Sequence, residues 1–155
     1  MNNNKIIEKF YRSFSNGGVK EMTTCYHKDI VFRDPVFGKL QGKRAFSMWE
    51  MLLSKRSETT QISYDHIQST QDKGSAIWTA QYTYGKTKRK VTNVVHASFT
   101  FKDGKIIEHT DVFDLWKWTQ QALGITGYLM GWTSFMKNKI QKTTNEQLNN
   151  FIHSK

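Results

Sequence analysis

The chain has 155 residues, 37% of them hydrophobic and 14% aromatic, which is the size and content of one domain with a substantial core. Its formal net charge of +10 would suit acidic partners, but the cations are scattered and no basic stripe is interleaved with aromatics, so nucleic-acid binding is not expected. A single cysteine (Cys25), an N-terminus without an apolar core of signal-peptide length and no run near the ~20 apolar residues of a membrane helix lead us to expect a soluble, cytoplasmic protein without stable membrane insertion.

In chain order, Ile6, Ile7, Phe10, Tyr11 and Phe14 recur at helical spacing after an asparagine run able to cap the helix start. Asn16-Gly17-Gly18 ends that helix, and a second short one follows with Val19, Met22, Cys25 and Tyr26 inward. A brief strand is expected over Ile30 to Arg33, broken at Asp34-Pro35 because a residue before proline is pushed out of the helical region. A third helix runs from about Lys43 to Ser54, burying Ala45, Phe46, Trp49, Leu52 and Leu53.

The period then changes from 3.6 to 2. Ile62, Tyr64 and His66 alternate on one strand, and Ala76, Trp78, Ala80, Tyr82 and Tyr84 share a face of the next. Val91 to Phe101 continues the sheet, and Lys102-Asp103-Gly104-Lys105 predicts a tight hairpin because Asp-Gly supplies the positive φ of a primed turn. In the last strand, Ile106 to Phe113, alternation puts Ile107, His109, Asp111 and Phe113 on one face and Ile106, Glu108, Thr110 and Val112 on the other. An apolar wall that holds a histidine and an aspartate as neighbours has the composition of a pocket. Helices first and a strand meander after them is α+β logic.

This order and two motifs, VFRDPVFGKLQG (Val31 to Gly42) and FKDGKIIEHTDVFDL (Phe101 to Leu115), resemble the nuclear transport factor 2-like superfamily, and within it the SnoaL-like polyketide cyclase and ketosteroid isomerase branch. The resemblance covers about residues 5–115. It implies a cystatin-like α+β roll: a cone of curved antiparallel sheet wrapped by three N-terminal helices around an apolar pocket. We therefore expect a cone domain over residues 1–115 and a helical C-terminal extension over 116–155, packed on the same domain or on a partner subunit.

Site residues transfer in part. Asp34 matches the proton-shuttling aspartate of ketosteroid isomerases, whereas their oxyanion-hole tyrosine and aspartate fall on Phe10 and Ala97, with Tyr11 and His96 one residue away. Steroid isomerase activity is therefore not expected. His109 and Asp111 match the inward histidine and acidic residues of SnoaL-like cyclases, whose chemistry needs a base to take a proton alpha to a carbonyl and an acid to protonate the developing alkoxide. A His–carboxylate pair can serve both needs, since histidine titrates near neutrality. The Asp–Arg–Asp set of limonene-epoxide-hydrolase-like members has no counterpart, because Arg33 should point away from Asp34.

Asp34, His109 and Asp111 are thus the candidate acid/base residues, and Phe10, Tyr11, Phe14, Trp49, Trp78, Tyr82, His96, Phe99, Phe113 and Trp116 the candidate lining of a pocket for a small, hydrophobic, oxygenated ligand. Neither a cofactor nor a metal is expected. The same residues also fit plainer roles: Asp34 as a turn-former, His109 as a satisfied core histidine, the aromatics as core. That alternative is a non-catalytic binding or dimerisation module of the same fold. Beyond Trp116, Leu123, Ile125, Tyr128, Leu129, Met130, Trp132, Phe135 and Met136 are too apolar to stay exposed, and are expected to cover the pocket mouth or to join a homodimer. Superficial membrane association is a third option, set against the glycines that would weaken an interfacial helix.

Overall fold

The computed structural model describes residues 2–155. Six helices and six strands follow one another as α1 (Asn3–Ser15), α2 (Val19–Thr23), β1 (Tyr26–Asp34), β2 (Gly38–Gln41), α3 (Lys43–Ser54), β3 (Gln61–Ser69), β4 (Lys73–Thr83), β5 (Lys90–Lys102), β6 (Lys105–Val112), α4 (Leu115–Leu123), α5 (Ile125–Met130) and α6 (Ser134–His153). The strands form one curved, unclosed sheet in the order β2-β1-β6-β5-β4-β3. All neighbours are antiparallel except β1 and β6, which run parallel with Phe32 beside His109 and Arg33 beside Thr110. None of the helices is long and apolar enough to cross a membrane.

Local chemistry accounts for the element ends. The Asn2 side chain caps α1 by accepting from the Asn4 amide, and that of Asp114 caps α4 by accepting from Lys117 at 3.0 Å. Asp103 and Gly104 both have positive φ, 54° and 75°, as the expected primed hairpin between β5 and β6 requires. The inner face of the sheet and the facing helix sides make one core, in which Ile7, Phe10, Tyr11, Met22, Ile30, Met48 and Ile106 are all wholly buried. In a second, smaller cluster Trp118 and Ala122 of α4 and Met136 and Ile140 of α6 pack on Val91, Val36, Tyr82 and Phe113.

Three departures from strict alternation matter. Strand β1 begins at Tyr26, well before the expected Ile30, so Tyr26 belongs to the sheet instead of helix α2. In β3 a bulge between Asp65 and Gln68 sets His66 at φ 54° in solvent, and Ile67 takes the inward place expected of it. In β6, Thr100 pairs with Glu108 and Phe101 with Ile106, which leaves Ile107 as the extra residue. Ile106 is therefore wholly buried on the same side as His109 and Asp111, the reverse of the alternation expected at that end of the strand.

Candidate functional site

The centre of the cone is a single hydrogen-bonded chain running from α3 through β1 to β6. Trp49 Nε1 donates to the Tyr26 hydroxyl at 3.0 Å, that hydroxyl meets His109 Nδ1 at 2.6 Å, and His109 Nε2 meets Asp111 Oδ1 at 2.8 Å. Trp78 Nε1 donates to the same Asp111 oxygen at 3.3 Å. The Asp111 carboxylate can only accept, so the imidazole proton sits on Nε2, a tautomer assigned from its partners. Nδ1 is then an acceptor, and the Tyr26 hydroxyl donates to it while its oxygen accepts from Trp49. Burial, followed by the charge of Asp111, raises the pKa of the Tyr26 phenol well above its ordinary value and keeps it a donor.

His109 is wholly buried in an aromatic box. Phe10, Phe32 and Tyr26 stand edge-on to it with centroids 5.4, 5.1 and 6.0 Å away, Trp49 stacks at 6.2 Å, and Phe99 tilts at 4.6 Å. Both its nitrogens are taken and no face is open. Asp111 differs. Its Oδ1 accepts two bonds, while no hydrogen bond among the described residues reaches Oδ2.

Asp34 is the next residue along β1 after the Arg33–Thr110 pairing, as Asp111 is along β6, so the two carboxylates are neighbours on the inner face. The Oδ1 atom of Asp34 accepts from the amides of Val36 at 3.0 Å and Phe37 at 2.6 Å, which makes it the turn-former of the Asp-Pro segment. Burial nonetheless pushes its pKa up to about 7; the charge of Asp111 adds to the rise and the two amides oppose it. Helix α6 closes over this turn: Gln141 Nε2 donates to the Pro35 carbonyl at 3.1 Å, Thr144 Oγ1 to that of Val36 at 2.7 Å, and Asn145 Nδ2 to that of Phe37 at 2.9 Å. Arg33 is exposed, on the opposite face.

Tyr11 is wholly buried between Tyr64, Trp78 and Phe99, and its hydroxyl has no hydrogen-bond partner among the described residues. Burial and then the charge of Asp111 raise its pKa well above the usual phenol value. Phe10, Phe14, Trp49, Trp78 and Phe99 are buried in the main core, and Phe113 is half-buried beside the second cluster. Tyr82 is half-buried too, its hydroxyl accepting from Trp118 Nε1 at 2.7 Å.

Two of the expected lining residues do not line the interior. His96 is exposed on the outer face, because β5 pairs with β4 without a break and alternation carries Ala97 inward. Trp116 is 39% exposed, its indole N–H held by the Tyr128 carbonyl at 3.0 Å. Tyr26 is the site residue that sequence reasoning missed. Its alternation with Ile30, Phe32 and Asp34 was the available signal, obscured by Lys28 between them, which is exposed. A hollow of about 490 Å³ on the outside has Tyr26 in its wall, together with Thr23, His27, Phe46 and Lys105. Among the described residues no three His, Cys, Asp or Glu side chains converge as a metal site would require.

The profile of the SnoaL-like domain matches residues 7–109, about two-thirds of the sequence. The chain belongs to the SnoaL-like family. Among curated proteins no sequence matches. Solved structures of the same fold include Bal32a from a soil-derived mobile gene cassette, 20% identical with TM-score 0.67 over 77% of this chain and 95% of that one. A proposed polyketide cyclase from Xanthomonas campestris pv. campestris is 16% identical with TM-score 0.60 over 76% and 93%. TerC, co-crystallised with polyporic acid, is 18% identical with TM-score 0.62 over 72% and 91%. At these identities the likeness to the three structures is one of fold.

Proposed function

We propose that this SnoaL-like protein is a cytoplasmic, cofactor-independent small-molecule pocket protein that carries out acid/base chemistry on a hydrophobic, oxygenated ligand, with Asp111 and Asp34 as the exchanging pair. The observation that carries the reading is the unpartnered Tyr11 hydroxyl, wholly buried and within the field of Asp111. A buried donor without a partner costs about 1–3 kcal/mol, and a ligand oxygen between Tyr11 and Asp111 would recover it. Asp34, titrating at about 7 beside Asp111, supplies a carboxyl that can hold or release a proton near neutrality. His109 is a positioning residue in this scheme, because its enclosed ring can reach a ligand only through Asp111. The names of two fold neighbours, a proposed polyketide cyclase and a protein crystallised with polyporic acid, agree with a ligand of this class.

The test is proton exchange on a bound hydrophobic ketone in deuterated water, followed by NMR. The wild-type chain should exchange the protons alpha to the carbonyl, and Asp111→Asn should bind the ketone without exchanging them. Equal exchange by that variant would overturn the assignment.

The enclosed His109, with both nitrogens satisfied, favours a second reading, a non-catalytic binding or dimerisation module. It is distinguished by ketone binding without exchange in the wild type. For a homodimer, the outer sheet face around Val94 and Val112, 48% and 58% exposed, is the surface we assign to the second copy. Sedimentation of Val94→Lys as a monomer would support that assignment, and an unchanged mass would sink it.

A further inference from the structure

The least soluble-looking part of the surface lies on the C-terminal extension. Ile125, Tyr128, Leu129 and Met130 of α5, with Trp132 and Phe135 beyond it, are between 41% and 79% exposed. Six large apolar side chains exposed within eleven residues are more than soluble monomers usually leave bare in one segment.

The glycines of this segment explain the exposure. A Cβ on Gly127 would stand 1.9 Å from the Thr119 carbonyl oxygen, and one on Gly131 would stand 1.8 Å from Thr119 Oγ1. These glycines are the contact by which α5 lies directly on α4, so the apolar side chains have only the outward side left. The glycines expected to weaken an interfacial helix instead fix its orientation.

The carbonyls at the end of α5 are already satisfied. A helix end leaves its last four carbonyls without helical partners, and in water they hydrate. Here each accepts a bond from the protein. Gly127 takes the Gly131 amide at 2.8 Å, Tyr128 the Trp116 indole at 3.0 Å, Leu129 the Trp132 indole at 3.1 Å, and Met130 the Thr133 hydroxyl at 2.6 Å. Both tryptophan N–H groups are consumed in the process. The four carbonyls that end α5 and both indole donors can therefore leave water already paired, which lowers the cost of entering a hydrocarbon environment.

Charge selects the partner. From Leu115 to Asn145 the chain has four lysines, Lys117, Lys137, Lys139 and Lys142, and no carboxylate. The β4–β5 hairpin, with exposed Lys86, Lys88, Arg89 and Lys90, is pinned to the same place: Arg89 Nε donates to the Gln121 carbonyl at 2.7 Å and Thr87 Oγ1 to that of Ala122 at 2.5 Å. A second copy docked face to face would oppose these cations with themselves. Stacking on nucleic acid would leave Ile125, Leu129 and Met130 unused, as none offers an aromatic face. Apolar side chains and interfacial tryptophans among cations match an anionic lipid surface.

We infer that the α5 face, with Trp132 and Phe135, docks this protein on the surface of an anionic lipid bilayer without crossing it. The test is flotation of the full chain with vesicles of equimolar phosphatidylcholine and phosphatidylglycerol, beside vesicles of phosphatidylcholine alone. The wild type should float with the anionic vesicles and far less with the neutral ones. Ile125→Ser combined with Leu129→Ser, at exposed positions that keep the circular dichroism spectrum and melting temperature unchanged, should lower partitioning at least tenfold. Lys137→Gln and Lys139→Gln should each lower it about fivefold, and on anionic vesicles only. The inference is overturned if the wild type stays in the aqueous fraction with both vesicle types, or if it floats equally with both. It is likewise overturned if the serine variant floats like the wild type, turns a dimer into a monomer, or loses binding to a single-stranded oligonucleotide.

Discussion

The Tyr26 hydroxyl, 2.6 Å from His109 Nδ1, donates to the ring nitrogen that Asp111 leaves without a proton. Asp111 only accepts, so His109 directs its N–H there, and the Tyr26 oxygen in turn accepts from Trp49. Tyr26→Phe would keep the ring packing and strip Trp49 and His109 of a shared partner. Two buried polar groups left unpaired should cost about 2–4 kcal/mol in urea unfolding. The Nε2 proton of His109, buried against Asp111, should exchange slowly in the wild-type NMR spectrum and broaden in the variant. A variant as stable as the wild type would contradict the proton order assigned to the chain.

Asp34 should make stability depend on pH in an unusual direction. Its folded pKa of about 7 lies above the ordinary carboxyl value of 3.8, so between those values the unfolded chain has released a proton that the folded one retains. Stability contributed by this group therefore falls as pH rises from about 4 to about 7, by roughly 2–4 kcal/mol in all. Asp34→Asn keeps an oxygen for the Val36 and Phe37 amides and has no proton to lose. Its unfolding free energy, subtracted from that of the wild type across this range, should show that slope, and parallel curves would exclude a raised Asp34.

For Tyr11 the expected sign is opposite to that for Tyr26. Tyr11→Phe removes a buried hydroxyl that has no partner, which should raise stability by about 1 kcal/mol while weakening the retention of an oxygenated ligand. Thermal unfolding and native mass spectrometry together check both halves. A less stable variant would mean that the hydroxyl is paired in solution.

Gly127→Ala should loosen α5 from α4, since the added carbon would meet the Thr119 carbonyl at 1.9 Å. The expected cost is about 1–3 kcal/mol, with amide exchange faster in α4 and α5. Gly85→Ala is the control, since a Cβ there has open space around it. Similar stability for the two variants would argue against the close α4–α5 contact.

Most of the sheet and both catalytic-strand candidates were legible because period-two patterning survives wherever strands run straight. Asp111 and His109 share an inner face, and Asp103-Gly104 makes the turn its residue types require. What patterning could not show was where the period breaks. A bulge costs one residue and reverses the facing of everything beyond it, so strict alternation puts Ile106, Ile107 and His66 on the wrong sides. Tyr26 was hidden for a related reason, as the exposed Lys28 interrupts the apolar series that would have extended β1 back to it. His96 shows the converse. Only an irregularity could have turned it inward, and β5 has none at that point.

Three side chains of one helix, Gln141, Thr144 and Asn145, hold the three carbonyls that follow Asp34. All three come from the sequence beyond residue 109, where the family profile ends. A shorter relative that lacks this helix would leave those carbonyls to water and the Asp34 carboxyl closer to bulk solvent. The proton affinity of an aspartate near the start of the chain is thus set in part by residues more than a hundred positions later. Changes in α6, far along the sequence, are a route by which evolution or engineering can retune the acidity of Asp34.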